Sequence, residues 1–173
     1  MAIPAPAPRL FLALWPDDAS RQALAQWRDH WTLPAGAAPT RTENLHLTLH
    51  FLGPVAADRR DALIAALAER PATEPFTLTF GIAQLWPGGI AVVCPLAAPA
   101  PLERLHARLA DVLRRLGLPV EERPFRPHVT LARKAARAEV PAQGPAMEWK
   151  VDGGFALVES AAGQGYRALR RFN

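Results

Sequence analysis

A four-residue phrase occurs twice in the 173-residue chain: His46-Leu47-Thr48-Leu49 and His128-Val129-Thr130-Leu131. Each copy alternates polar and aliphatic residues. Side chains along a β-strand alternate between faces with period two. His46 and Thr48 therefore share one face, and Leu45, Leu47 and Leu49 take the other. In the second copy His128 and Thr130 oppose Val129 and Leu131. By the same count His50 is expected beside Thr48. Two such strands must each bury an aliphatic face, and the two His-Thr faces can then line one pocket.

The elements around the phrases also repeat. Arg9 to Trp15, an apolar run closed by Pro16, predicts a buried strand. Asp17, Asp18 and Ser20 open a helix over 18–31 carrying Ala23, Leu24, Trp27 and Trp31. A loop over 33–42 leads to the first phrase, in a strand over 45–52 stopped by Gly53-Pro54. A helix follows at 57–69, then a strand at 76–80. Gly88-Gly89 marks a hairpin between the segment ending at Trp86 and Ile90 to Cys94. Pro99 and Pro101 open a third helix with the stripe Leu102, Leu105, Leu109, Val112, Leu113 and Leu116, closed by Gly117. The second phrase lies in a strand over 127–133, followed by a Pro- and Ala-rich loop to about 145. The last strands are expected at 147–158, with a break at Gly153-Gly154, and at 166–172. Strand, helix, loop and His-Thr strand thus occur in that order from 9 to 52 and again from 90 to 133. This order predicts an α+β fold with a pseudo-twofold, bilobal arrangement and a central groove. Residues 1–8 read as a flexible arm and 9–173 as a single domain.

Half of the residues are hydrophobic and 21% are charged, enough apolar material for a sizeable core. The net charge is +4, which suits an anionic partner without marking a strong nucleic-acid binder. A lone Cys94 allows no internal disulfide and fits a cytoplasmic setting. The N-terminal residues lack the features of a signal peptide, and no apolar window has the length of a membrane span, so no membrane association is expected.

Two facing histidines suit general acid–base chemistry, because an imidazole offers both protonation states near neutrality. Displacement at phosphorus needs both at once, since the attacking and leaving oxygens lie on opposite sides of the phosphorus atom. The threonine hydroxyls can donate to the non-bridging oxygens, where negative charge develops. A zinc site would want three protein ligands. His50 is the third histidine at hand, but the second strand has Ala132 where a matching polar group would stand. Neither a metal nor another cofactor is expected.

The two phrases resemble the paired HxTx motifs of the 2H phosphoesterase superfamily. Arg9 to Pro16, Leu45 to Gly53, Pro127 to Arg133 and Tyr166 to Phe172 look like its RNA 2′,3′-cyclic phosphodiesterase branch, also called 2′-5′ RNA ligases. The resemblance implies antiparallel sheets flanked by helices around a groove. It implies hydrolysis, without metal, of an RNA 2′,3′-cyclic phosphate end or a small cyclic nucleotide to a 2′-phosphomonoester, with ligation as the reverse reaction. Carried over by position, His46 is the proton donor, His128 the proton acceptor, and Thr48, Thr130 and Arg133 hold the phosphate. The protein is expected to act as a monomer. Strand alternation would start Arg133 on the face opposite His128 unless the strand ends or twists there. Two alternatives stand beside this reading: a non-catalytic module binding RNA ends or nucleotides, and a related enzyme for other cyclic or 2′-5′-linked nucleotides. Phe51 and Trp86 could stack a base but are expected in the core, Arg126 could touch phosphate but is expected in a solvated loop, and His30 and His106 are expected on helix surfaces.

Overall fold

A computed structural model describes residues 8–69 and 72–173, so the expected arm lies, apart from Pro8, outside the described residues. The elements are β1 (Arg9–Leu14), α1 (Asp18–Asp29), β2 (Ala38–Pro39), a 3₁₀ turn (Thr42–Asn44), β3 (Leu47–Pro54), α2 (Ala57–Ala68), β4 (Phe76–Trp86), β5 (Ile90–Pro95), α3 (Ala100–Arg115), β6 (Val129–Arg133), β7 (Met147–Val151), β8 (Phe155–Ala161) and β9 (Gly165–Phe172).

The helix ends follow the local signals. The Asp17 carboxylate accepts the Ser20 N–H at 2.7 Å and caps α1. At the end of α3, Gly117 adopts φ +64, its N–H reaches the Arg114 carbonyl, and the Leu118 N–H reaches the Leu113 carbonyl, each at 2.9 Å. That paired closure requires a left-handed residue at Gly117. Leu102, Leu105, Leu109, Val112 and Leu113 of α3 are buried, each such leucine being worth about 1.5–3 kcal/mol.

All described strands join one antiparallel sheet in the order β7-β4-β5-β6-β3-β1-β8-β9, with β2 beside β6. Each phrase strand (β3, β6) lies next to its repeat partner (β1, β5), and two further strands complete each lobe. The lobes meet through a single ladder pair, Leu47↔Val129. The helices cross this seam: α1, which follows β1, packs on β6 and β7, while α3, which follows β5, packs on β3.

Two elements differ from expectation. The strand beginning at Phe76 runs unbroken to Trp86, because its second half pairs with β5 as its first half pairs with β7. The stretch 147–158 breaks at Gly153-Gly154 as expected, but its halves do not stay together: they go to opposite sides of the sheet, β7 beside β4 and β8 beside β1. Six strand spacings in a flat sheet would separate β7 from β8 by roughly 29 Å, whereas the four steps from Val151 to Phe155 reach only about 14 Å. The sheet therefore curls, bringing its β7 side round toward β8. Gly153 makes the short crossing possible: it has φ +96, and a Cβ there would stand 1.9 Å from the Thr73 carbonyl oxygen.

Most of the core lies on the sheet face that meets the helices, and it includes Leu10, Leu12, Leu14, Leu47, Leu49, Val129 and Leu131. A small second cluster, Phe11, Ala13, Ala156 and Val158 with Trp15 and Tyr166, lies on the opposite face. The rest of that face forms a groove between the lobes.

Candidate active site

A cavity of about 610 Å³ lies over the seam, and His46, Thr48, His128 and Thr130 all line it. The ladder pair Leu47↔Val129 explains why. One residue either side of it, the antiparallel register sets His46 across from Thr130 and Thr48 across from His128. The two histidines stand diagonally, as the two threonines do.

Beyond the threonines both strands break their alternation at the same place. On β1 the neighbours Leu12 and Ala13 pair with His50 and Thr48, leaving Leu49 as an extra residue. On β5 the neighbours Ala91 and Val92 pair with Ala132 and Thr130, leaving Leu131 extra. Each is a β-bulge, two residues opposing one, and each falls on the fourth residue of the phrase. The bulges reset the pleat. Leu49 and His50 are both buried, as are Leu131 and Ala132. Phe51 and Arg133 then turn into the groove at equivalent positions.

Three expectations are corrected by this geometry. His50 does not stand beside Thr48; it is buried on the helix side, and its Nε2–H donates to the His106 carbonyl at 2.9 Å. Arg133 lines the groove with His128 instead of opposing it. Phe51 is not a core residue: it is 55% exposed within the cavity lining. His106 also departs from expectation, being half-buried and stacked between His50 at 4.0 Å and Phe125 at 3.9 Å. His30 is exposed, as expected.

The two groove histidines share one tether. The His46 Nδ1–H donates to the Asn44 carbonyl and the His128 Nδ1–H to the Arg126 carbonyl, each at 2.7 Å and each two residues back. With Nδ1 protonated, the Nε2 of each neutral ring carries the lone pair. For His46 this Nε2 accepts the Thr48 hydroxyl at 2.9 Å.

Their surroundings differ. His46 is enclosed by Phe11 at 4.8 Å, Tyr166 at 5.3 Å and Trp15 at 5.7 Å. Burial pushes its pKa down to about 4; the Asn44 hydrogen bond opposes this, and the charges of His128 and Arg133 add to it. His128 has one aromatic neighbour, Trp86, at 4.3 Å. Its pKa is also lowered, first by burial and then by the Arg126 and Arg133 charges, against the Arg126 carbonyl bond. Arg9, Arg123 and Arg133 line the cavity, and no described carboxylate does. The groove thus offers two imidazoles, two hydroxyls and a positive field, which suits an anionic oxygen ester. Neither Phe51 nor Trp86 could be assigned from spacing, since the one depends on a bulge and the other reaches His128 across β5.

The chain matches the family model described as the 2′-5′ RNA ligase superfamily over residues 15–162. It is 37% identical over 145 residues to the RNA 2′,3′-cyclic phosphodiesterase of Escherichia coli (strain K12), covering 82% of this chain and 80% of that one. The protein of the same name from Thermus thermophilus is 32% identical, covering 95% of this chain and 89% of that one. Among solved structures, Escherichia coli LigT complexed with 3′-AMP superposes with a TM-score of 0.85 at 31% identity, over 95% of this chain and 97% of that one.

Proposed function

The chain belongs to the 2′-5′ RNA ligase superfamily, and from that premise we propose that it opens the 2′,3′-cyclic phosphodiester at RNA ends, leaving a 2′-phosphomonoester, by proton transfer between His46 and His128 without a metal. The observation that carries this is the groove quartet. Two imidazoles stand diagonally over one ladder pair, each with Nδ1–H tied to a backbone carbonyl so that the Nε2 atom is left to do chemistry.

His128 is the proton acceptor. A water oxygen bonds to phosphorus as its proton passes to His128 Nε2. The bond from phosphorus to the ribose O3′ breaks on the other side, and His46 Nε2–H gives its proton to that oxygen. The products are a 3′-hydroxyl and a 2′-phosphate, and solvent returns the two rings to their starting states. A 5′-hydroxyl in place of the water would leave a 2′-5′ linkage by the same steps. Thr48, Thr130 and Arg133 hold the non-bridging oxygens. The positive groove, lined by Arg9, Arg123 and Arg133, favours an RNA end or a small cyclic nucleotide. Both halves of the site come from one chain, so the reading takes the protein to act as a monomer. RNA ends and a free thiol at Cys94 fit a cytoplasmic location. Among the described residues no helix is long and apolar enough to cross a membrane.

The test is incubation with an RNA ending in a 2′,3′-cyclic phosphate, in excess chelator, followed by product analysis. The reading expects a 2′-phosphate and a loss of about 10²–10⁴-fold in each of His46→Ala and His128→Ala. Opening that both variants retain, or that stops with chelator, refutes it.

A further inference from the structure

We propose that Gln84, Trp86 and Arg126 are positioning residues that hold His128 as a neutral base; this rests on the reading of His128 as proton acceptor. Gln84 and Trp86 lie two apart on β4, and Arg126 and His128 lie two apart where the chain enters β6. The two pairs interlock. The Trp86 ring lies 4.3 Å from the His128 ring at 55°. The Trp86 Nε1–H donates to the Gln84 side-chain oxygen at 2.8 Å, and Arg126 Nη2 donates to the same oxygen at 3.3 Å. The Arg126 guanidinium then sits 4.5 Å from the Trp86 ring centre. The carbonyl of that same Arg126 takes the His128 Nδ1–H.

Arg126 therefore acts on His128 twice. Its main chain selects the tautomer with the Nε2 lone pair free. Its side chain sets the sign of the field. An indole face alone would stabilise an imidazolium, because its π cloud is negative. Here a guanidinium occupies that ring and adds like charge, so protonating His128 becomes less favourable. Arg133 on β6 acts on His128 in the same sense, and the other basic groups of the cavity lining, Arg9, Arg123 and His46, bring no negative charge to offset it. Glu121 engages Arg123 and is not part of the cavity lining.

The His46 side repeats the buttress without this effect. Trp15 stacks on His46 at 5.7 Å and 24°, and Arg21 lies 5.6 Å from the Trp15 ring centre. Arg21, however, donates to the Pro16 carbonyl, and its charge does not shift His46. Arg133 bears on both histidines, but a cation seated on the buttressing tryptophan bears on its histidine only at His128, the side where a base is needed.

The experiment follows the His128 imidazole by ¹³C NMR through pH in the free protein, alongside kcat and KM on a cyclic mononucleotide. Arg126→Gln keeps the carbonyl and removes the charge. It should raise the proton affinity of His128 by about three- to tenfold, as expected for a partly screened neighbouring charge, and move the acid limb of kcat/KM upward by the same factor. Arg126→Lys should keep the wild-type midpoint. Trp86→Ala should lower kcat more than tenfold with KM nearly unchanged, as orienting groups do, and Trp86→Phe should recover most of it. A His128 midpoint equal in wild type and Arg126→Gln overturns the proposal. So does an Arg126→Gln that raises KM alone, which would make Arg126 a phosphate ligand. If wild type fails to open the substrate, or His128→Ala opens it equally well, the proposed function falls instead, and the NMR midpoints still decide the positioning claim.

Discussion

A proton donor must hold its proton before giving it up, and this makes His46 the sharpest test of the mechanism. Burial keeps its pKa at about 4 in the open groove. At pH 7 that leaves roughly one free molecule in a thousand with the ring protonated. Because kcat/KM reports ionisations of the free enzyme, it should fall about tenfold per pH unit between 6 and 8, roughly a hundredfold in all. The bound substrate reverses the balance. One phosphodiester charge at about 4 Å, with an effective dielectric near 20, stabilises the protonated ring by about 4 kcal/mol, close to a thousandfold in proton affinity. The two effects nearly cancel. The alkaline limb of kcat should therefore lie about three pH units above that of kcat/KM, and substrate binding should take up a proton at pH 7. Initial rates of cyclic nucleotide opening from pH 4 to 9, at limiting and saturating substrate, measure both limbs. A kcat/KM that stays flat or rises from pH 6 to 8 would refute a buried histidine as the donor.

Further outcomes follow from the same geometry. Thr48→Val keeps the branched shape while removing the hydroxyl bonded to His46, and kcat should drop about 10²–10³-fold, the usual cost of a lost donor at a developing charge. Acid should destabilise the fold. His46 and His106 titrate near 4 when folded, and His50 and His128 are also lowered. An unfolded histidine titrates near 6.5, so the unfolded chain binds more protons between these values and stability falls with pH across that window. His46 alone contributes up to about 3 kcal/mol, less where solvent reaches the ring. Urea unfolding at pH 7 and pH 4.5 should show the loss, reduced in His106→Phe, which keeps the stack without the titrating ring. Gly153→Ala should cost at least about 2 kcal/mol by the same assay, since its Cβ would meet the Thr73 carbonyl at a left-handed φ.

The periodicities carried the fold a long way. Alternation placed both phrases on strands, helical spacing placed all three helices, and the repeat of element order anticipated the twofold and the facing histidines. What stayed hidden depends on pairing between strands. Leu49 and Leu131 are ordinary leucines in composition and spacing; their bulges exist because β1 and β5 advance one residue while the phrase strands advance two. No residue type announces that step, and a one-residue slip exchanges every later face. His50, Phe51 and Arg133 were misplaced for this one reason. The separation of β7 from β8 was hidden for another: the turn at Asp152–Gly154 looks like any strand break, and only the curl of the sheet sends its halves apart.

The crossed helices have a mechanical consequence. A joint made of one ladder pair would by itself be a free hinge, and the gap between donor and acceptor would widen and narrow with it. Each lobe's helix is instead strapped across the joint onto the opposite lobe, so opening the groove must peel leucines and tryptophans from a packed core on the far side. The spacing of the two imidazoles is thereby a gauge length of the fold. On the proposed mechanism a phosphate would be measured against it, and substrates would differ in rate by how well they span that fixed interval.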